Sequence, residues 1–366
     1  MNSIKAAIVF HPGEILLDEL EERGISQSDF AKIIDRSLKA VNAIIKGKKA
    51  ITPETARNIA AALGTSPEMW LNMQSRYDLH LLSKGEDNKD AIKKRAQIYS
   101  FAPVRELVKR MWIKDEKNVD VLIKEVLSLL GIKSLSDFER HVTAEHSGVC
   151  FRKSDYGEVN TNFLYVWRKL GHVVAEKIKC PDFDEANLIG FAKKIREYSQ
   201  DVEGVEKIVR ELRTLGVRLV MIPHFSKTRV DGAIFWSKKK PVILMSLRYD
   251  RIDNFYFTLL HEIGHIILHK NKNFYDDTGI SDKIVTKQCA EANDFAQEHI
   301  VPQYIMDRIV KKSITFKVLR GESKNIGIHA GLLVGSLQHD QKLQYWQFRK
   351  GLVKIKHTIP AGMITN

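Results

Sequence analysis

Over the first eighty positions, apolar residues recur at helical spacing in short runs, and each run is bracketed by residues that start or stop helices. His11-Pro-Gly precedes a segment from Glu14 to Glu22 that ends at Arg23-Gly24. Ser26 caps Gln27 to Ile34, with Asp29 three residues on as a variant capping box. Asp35-Arg36 makes a turn, Ser37 caps Leu38 to Ile45, and Gly47 ends that run. Thr52-Pro53 and Ser66-Pro67 each set a cap before a proline at the first helical position. Five short helices are therefore expected over 11–78, with Phe30, Ala31, Ile34, Val41 and Ile44 as the seam of the second and third.

The pattern then changes twice. Ser83 to Asp90 is polar and predicts a linker, after which amphipathic helices extend to about Gln200, including Val119–Leu130, Asn162–Ile178 and Asp184–Tyr198. Phe163 and Trp167 are expected in their core. From Gly216, Val217–Ile222 and Val242–Ser246 predict strands, with Ile234-Phe-Trp236 between them in the chain. Thr258 to Leu268 is a strongly apolar helix, and Lys287 to Val301 predicts a second that Pro302 stops. Leu343–Phe348 and Leu352–Ile355 flank Arg349-Lys-Gly351 as a predicted hairpin.

Length and composition set the frame. A chain of 366 residues with 44% hydrophobic content predicts two or three domains with true cores. Three scattered cysteines (Cys150, Cys180, Cys289) predict reduced thiols rather than a disulfide framework. Met1 to Phe10 is too short and poorly patterned for a signal peptide, and no run reaches membrane-spanning length, so a cytoplasmic protein is expected. The net charge of +13 lies outside the first 80 residues, where ten Lys/Arg balance ten Asp/Glu. Within those 80 the charge is polarised: residues 14–29 hold six acids and one base, residues 32–57 seven bases and two acids. A local basic stripe matters more to DNA than a domain total.

The apolar helix contains His261-Glu262-Ile263-Gly264-His265. Residues four apart share a helix face, so both imidazoles can reach one metal ion, with Glu262 beside it to take a proton from water. A zinc peptidase needs a third protein ligand and an open fourth position. Glu291, set among small and apolar residues of the second helix, is the best candidate; an ordinary carboxylate paired with lysine is the alternative. His269 repeats the spacing of four and reads as a packing or supporting residue, and Cys289 as a small buried thiol. His224, Arg248, Tyr249 and His329 are candidate donors to an oxyanion.

These residues resemble the ImmA/IrrE family of metallopeptidases. The resemblance covers roughly Glu203 to Gln347 and is carried by Asp231–Trp236, Pro241–Arg248, Phe257–His265, Glu291–Ala296, Ile326–Val334 and Leu337-Gln-His339. It implies metal ligands His261, His265 and Glu291, one zinc ion or another divalent metal, and a catalytic base at Glu262. Members of that family cut repressor-type proteins.

In the N-terminal domain, two short capped helices joined by a tight turn form a helix-turn-helix, whose second helix enters the major groove. Ser37, Lys39, Ala40 and Asn42 would face base edges, and Lys46, Lys48 and Lys49 phosphates. A helical bundle that binds only protein is the alternative. The stretch from His11-Pro-Gly-Glu through Gly24-Ile-Ser-Gln and Ile45-Lys-Gly-Lys to Trp70-Leu-Asn72 resembles HigA-type antitoxins. That resemblance implies a homodimer on double-stranded, palindromic operator DNA, with a toxin partner often encoded alongside; such antitoxins are commonly little longer than this domain.

The expectation is a multidomain chain: an all-α helix-turn-helix domain over 1–80, a helical middle region over 81–200, and an α+β zincin-like domain over 201–366. Its expected function is a DNA-binding regulator with a zinc endopeptidase domain that cleaves itself or a partner repressor. The alternative is an antitoxin whose zincin domain senses or binds without turnover.

Overall fold

The computed structural model describes residues 9–83, 86–146, 159–201, 203–270, 287–312, 314–359 and 363–364. Cys150 and most of the Met1–Phe10 segment lie outside the described residues. The chain divides into two compact units, Met1–Lys93 and Lys94–Asn366.

The first unit is built from α1 (Pro12–Glu22), α2 (Gln27–Ile33), α3 (Leu38–Ile45), α4 (Pro53–Leu63) and α5 (Pro67–Ser83). Local chemistry sets the helix ends. The Ser26 hydroxyl accepts from Asp29 N at 3.1 Å and Ser37 from Ala40 N at 3.2 Å, each satisfying an orphan donor. His11 caps α1 through Nδ1, which accepts from Gly13 N at 2.8 Å, while Glu14 reaches back to the His11 amide. Gly13 has no substitute there, because a Cβ would stand 2.1 Å from the Ile44 carbonyl oxygen. Leu16, Leu20, Phe30, Val41, Ile44, Ile59 and Trp70 fill one core, and Gln74 ties α5 to the Ile51 amide at 2.9 Å.

The segment read as a linker is mostly helix: α6 (Glu86–Phe101) begins within it. Its residues form backbone hydrogen bonds along the helix despite their polarity, and polar composition alone does not distinguish a solvated helix from a linker.

In the second unit, α7 (Val104–Lys109), α8 (Val119–Leu130), α9 (Leu135–His146), α10 (Thr161–Lys177), α11 (Glu185–Ala192) and α12 (Gly204–Thr214) lead into a sheet. Its strands are β1 (Arg218–Met221), β2 (Gly232–Ser237) and β3 (Lys240–Met245), in spatial order β1-β3-β2. β1 runs parallel to β3, and β2 pairs antiparallel with it through a two-residue turn. Then come α13 (Ile252–Leu268), α14 (Lys287–Ile300), α15 (Gln303–Val310), α16 (Phe316–Asn325) and α17 (Ala330–His339).

Alternation along the strands divides the apolar residues between two faces. Leu219, Met221, Ile234, Ile243 and Met245 join the core of α11 to α17. Val220, Ile222, Ala233, Phe235, Val242 and Leu244 join the core of α7 to α10 with Tyr165 and Trp167. The boundary expected near residue 200 is therefore absent from this division of the chain, since the middle helices cover the second face of the same sheet. His172 of α10 lies on the Phe235 ring with centroids 3.7 Å apart, and burial pushes its pKa down to about 4.

Two further expectations are corrected. Asp184–Tyr198 is not one helix; α11 stops at Ala192 and a 3-10 turn follows over Ile195–Gln200. The expected hairpin over 343–355 is a set of turns with a 3-10 helix at Arg349–Gly351. Gln338 explains this: its buried amide donates to the carbonyls of Gln344, Tyr345 and Gln347, which a ladder would have needed.

The β2–β3 turn places Lys238 at φ 53° and Lys239 at φ 63°, a left-handed pair normally given to Asn-Gly. Lys239→Gly is expected to raise the stability of the unit by about 1 kcal/mol, read as a higher melting midpoint. Lys238 is left in place because it pairs with Glu176.

Candidate metal centre

α13 is apolar along most of its length, and twelve of its residues are buried, His261, Glu262 and His265 among them. His261, Glu262 and His265 are each at most 1% exposed. One helical turn brings the two rings together, with Nε2 of His261 and Nε2 of His265 3.1 Å apart. Two nitrogens about 2.0–2.1 Å from a shared tetrahedral zinc ion would stand about 3.3 Å apart, so the pair fits as two ligands. Phe257 stacks on His261 at 6.2 Å between centroids and also meets His339 at 5.4 Å.

Glu262 owes its position to a glycine. A Cβ built on Gly232 of β2 would stand 2.2 Å from Glu262 Oε1 and 2.8 Å from Thr258 Cγ2. The carboxylate thus occupies the space a side chain on the strand would take. Gly264 does the same for helix packing: its Cβ would meet Phe295 Cδ1 at 3.1 Å and Ala292 Cα at 3.3 Å, which lets α14 lie close against α13. Gly232 follows Asp231 in one of the resembling segments, and no local pattern signals its role.

Glu291 comes from α14, but its setting differs from the expected one. Its side chain is 43% exposed, and Oε2 accepts from His269 Nε2 at 2.8 Å while Lys287 Nζ is 3.8 Å from Oε1. The His269 hydrogen bond, with Lys287, holds the carboxyl below its ordinary pKa. His269 Nδ1 in turn lies 3.1 Å from His265 Nδ1, so a chain of contacts runs His265–His269–Glu291. Among the described residues, no group of three or more His, Cys, Asp or Glu side chains is assembled to hold a metal. The structure brings His261, Glu262 and His265 together, and reaches Glu291 through His269. Cys289 is in no disulfide and only partly buried, not the buried packing group expected.

The oxyanion candidates separate. His329 caps α17, its Nδ1 accepting from Gly331 N at 3.0 Å, so that nitrogen is committed to the fold. Arg248 donates to the Arg229 carbonyl at 3.1 Å and stands over the Tyr249 ring, fixing the loop that leads to Asp231 and Gly232. His224 Nδ1 is buried without a hydrogen-bond partner. Burial, then Arg248 and Arg110, lower the His224 pKa, so the ring is neutral at pH 7.

In the first unit, Ser37 is the cap of α3 and its oxygen serves the Ala40 amide. Lys39, Lys46, Lys48 and Lys49 are exposed, Ala40 and Asn42 are half-buried, and Val41 and Ile44 face the core. The exposed Leu38 and Ile33 were not among the expected contacts. Arg36 pairs with Glu54 at 2.7 Å.

Two family models match the chain: one for a helix-turn-helix over residues 16–70, and one for the IrrE N-terminal-like domain of peptidase family M78 over residues 213–330. An uncharacterized HTH-type transcriptional regulator of Escherichia coli K12, YddM, is 34% identical over 76 residues, 21% of this chain and 81% of the relative. Virulence-associated protein I of Dichelobacter nodosus is 37% identical over 79 residues, 73% of its length. Among solved structures, an addiction module antidote protein of the HigA family from Coxiella burnetii is 39% identical, over 22% of this chain and 89% of that one, with TM-score 0.21. The Pseudomonas aeruginosa antitoxin HigA with higBA promoter is 32% identical, over 22% and 90%, with TM-score 0.22. Through its first unit the chain belongs to the HTH-type transcriptional regulators, and its second unit carries an IrrE N-terminal-like domain.

Proposed function

We propose that this protein is a cytoplasmic, homodimeric regulator that binds double-stranded operator DNA through α3 and hydrolyses peptide bonds at a zinc centre on α13. The observation that carries the second half is the buried Glu262 carboxylate beside two converging imidazoles, in space that Gly232 leaves open. His261, His265 and Glu291 would hold one zinc ion. Other divalent metals compete for such a donor set. When bound, zinc supplies Lewis acidity for attack of water on a peptide carbonyl. Glu262 takes the proton of the attacking water and returns it to the leaving nitrogen. Neutral His224 remains a candidate donor to the oxyanion.

The substrate proposed is the protein itself or a repressor-type partner encoded nearby. A second reading has a specific observation in its favour, the Glu291 carboxylate held by His269. Under it the second unit binds a metal or a toxin partner without turnover. Elemental analysis of the purified full chain tests the centre. About one zinc per chain is expected, and its loss in His261→Ala and His265→Ala; metal-free wild-type protein would remove the hydrolytic reading and leave only a metal-independent partner-binding unit.

The DNA half rests on the exposed lysines of α3 and the loop after it. Each phosphate contact contributes about 0.9 to the slope of log affinity against log salt. Replacing Lys46, Lys48 and Lys49 together by Ala is expected to reduce that slope by about 2.7 per protomer on a duplex from the region upstream of the gene. Affinity that ignores salt, or an unchanged slope in the variant, would point instead to the protein-binding bundle.

A further inference from the structure

A turn after α17 presents two aromatic rings to solvent. Tyr345 is 68% exposed and Trp346 72%. Adjacent exposed aromatic rings rimmed by polar groups can mark an interaction site. They do not hang on a loose segment. Gln338, 1% exposed, donates to the carbonyls of Gln344, Tyr345 and Gln347, and its own oxygen accepts from Arg251 at 3.2 Å. Gln347 closes the turn onto Gln344, its side-chain oxygen accepting from the Gln344 amide at 2.7 Å. Leu343 is buried before the turn, and Phe348 stacks on Phe316 after it, centroids 5.9 Å apart. The rings are therefore displayed on a fixed backbone.

Along the chain, the side-chain charge beyond Asp340 has one sign. Residues 341–359 contain five Lys/Arg and no Asp/Glu. Lys342, Arg349, Lys350 and Lys354 are exposed. Of the acids nearby, Asp250 is committed to the amides of Ile355 and Lys356, at 2.9 and 2.8 Å, and Asp340 lies beside His339 at 3.4 Å. Flat rings for stacking, flanked by cations, suit a strand whose bases are unpaired and whose backbone is anionic. A duplex keeps its bases stacked inside and offers the rings nothing. We infer that Tyr345 and Trp346 form a platform for single-stranded nucleic acid, separate from the helix-turn-helix and independent of whether α3 binds a duplex.

The test uses the full chain, a fluorescein-labelled oligothymidylate, and anisotropy at moderate salt. Stacking is worth about 1–3 kcal/mol per base, so Trp346→Ala is expected to weaken binding about tenfold, and Tyr345→Ala comparably. Trp346→Phe, which keeps a ring, should stay within about threefold of wild type. The Lys46/Lys48/Lys49 triple variant should keep oligothymidylate binding. Both aromatic residues are exposed, so the variants fold; matching melting curves confirm it. Oligothymidylate binding that is absent, or insensitive to both aromatic substitutions, overturns the inference. So does an aromatic-dependent affinity that appears only with phosphatidylglycerol vesicles, which would make the turn a membrane contact.

Discussion

Glu262→Gln is expected to lower peptide-bond cleavage by about three orders of magnitude while leaving zinc content and operator affinity as in wild type. The amide has the shape of the carboxylate, so it fits the space beside Gly232, where a Cβ would come within 2.2 Å. It cannot accept the proton of the attacking water, and the substitution removes that basicity and the charge while keeping the shape. His261, His265 and Glu291 keep their donor atoms, so metal content is untouched. The helix-turn-helix belongs to the other compact unit. Stability should not fall, because a fully buried charge is replaced by a neutral group. The measurement is mass spectrometry of products after incubating the purified chain alone, and with repressor-type proteins encoded beside its gene. Equal cleavage by wild type and variant, or none by either, would favour the non-hydrolytic sensor.

What could be read from the chain follows how local the causes are. The caps of α2 and α3 are single side chains bonding amides three residues away, and both were legible from Ser26 and Ser37. The convergence of His261 and His265 needs only one helical turn, so a spacing of four sufficed. Val119–Leu130 was legible to the residue, between the Asn118 cap and left-handed Gly131.

Where the cause lies far along the chain, the sequence was silent or misleading. Gln338 dissolves the expected hairpin from outside it. The β2–β3 turn holds two lysines at positive φ, where composition offers no turn signal. Glu291 was expected to need a partner because its neighbours are small and apolar, yet it is half-exposed, and the partner is His269. A surface carboxylate's choice between a histidine beside it and a metal depends on rotamer and loading, neither of which a residue pattern encodes. The role of Gly232 was invisible for a similar reason, since the side chain it makes room for is thirty residues away on another element.

That glycine supplies the second large effect. Gly232→Ala adds one carbon, 2.2 Å from Glu262 Oε1, 3.0 Å from its Cδ and 2.8 Å from Thr258 Cγ2. β2 is extended at this position and accepts alanine without backbone strain, so the conflict is between side chains. Glu262 is 0% exposed and has no solvent to retreat into, so its carboxylate must shift by about 1 Å, a displacement of the size that costs about a hundredfold in rate. Crowding a packed site costs about 1–3 kcal/mol, so the fold should survive at a lower melting temperature. Because the tightest conflict is with the Glu262 carboxylate, kcat should fall with KM little changed, zinc content should hold, and the double variant Gly232→Ala/Glu262→Gln should be no slower than Glu262→Gln alone. Additive losses in that double variant would mean that the strand contacts substrate directly, and that the carboxylate is not what the glycine protects.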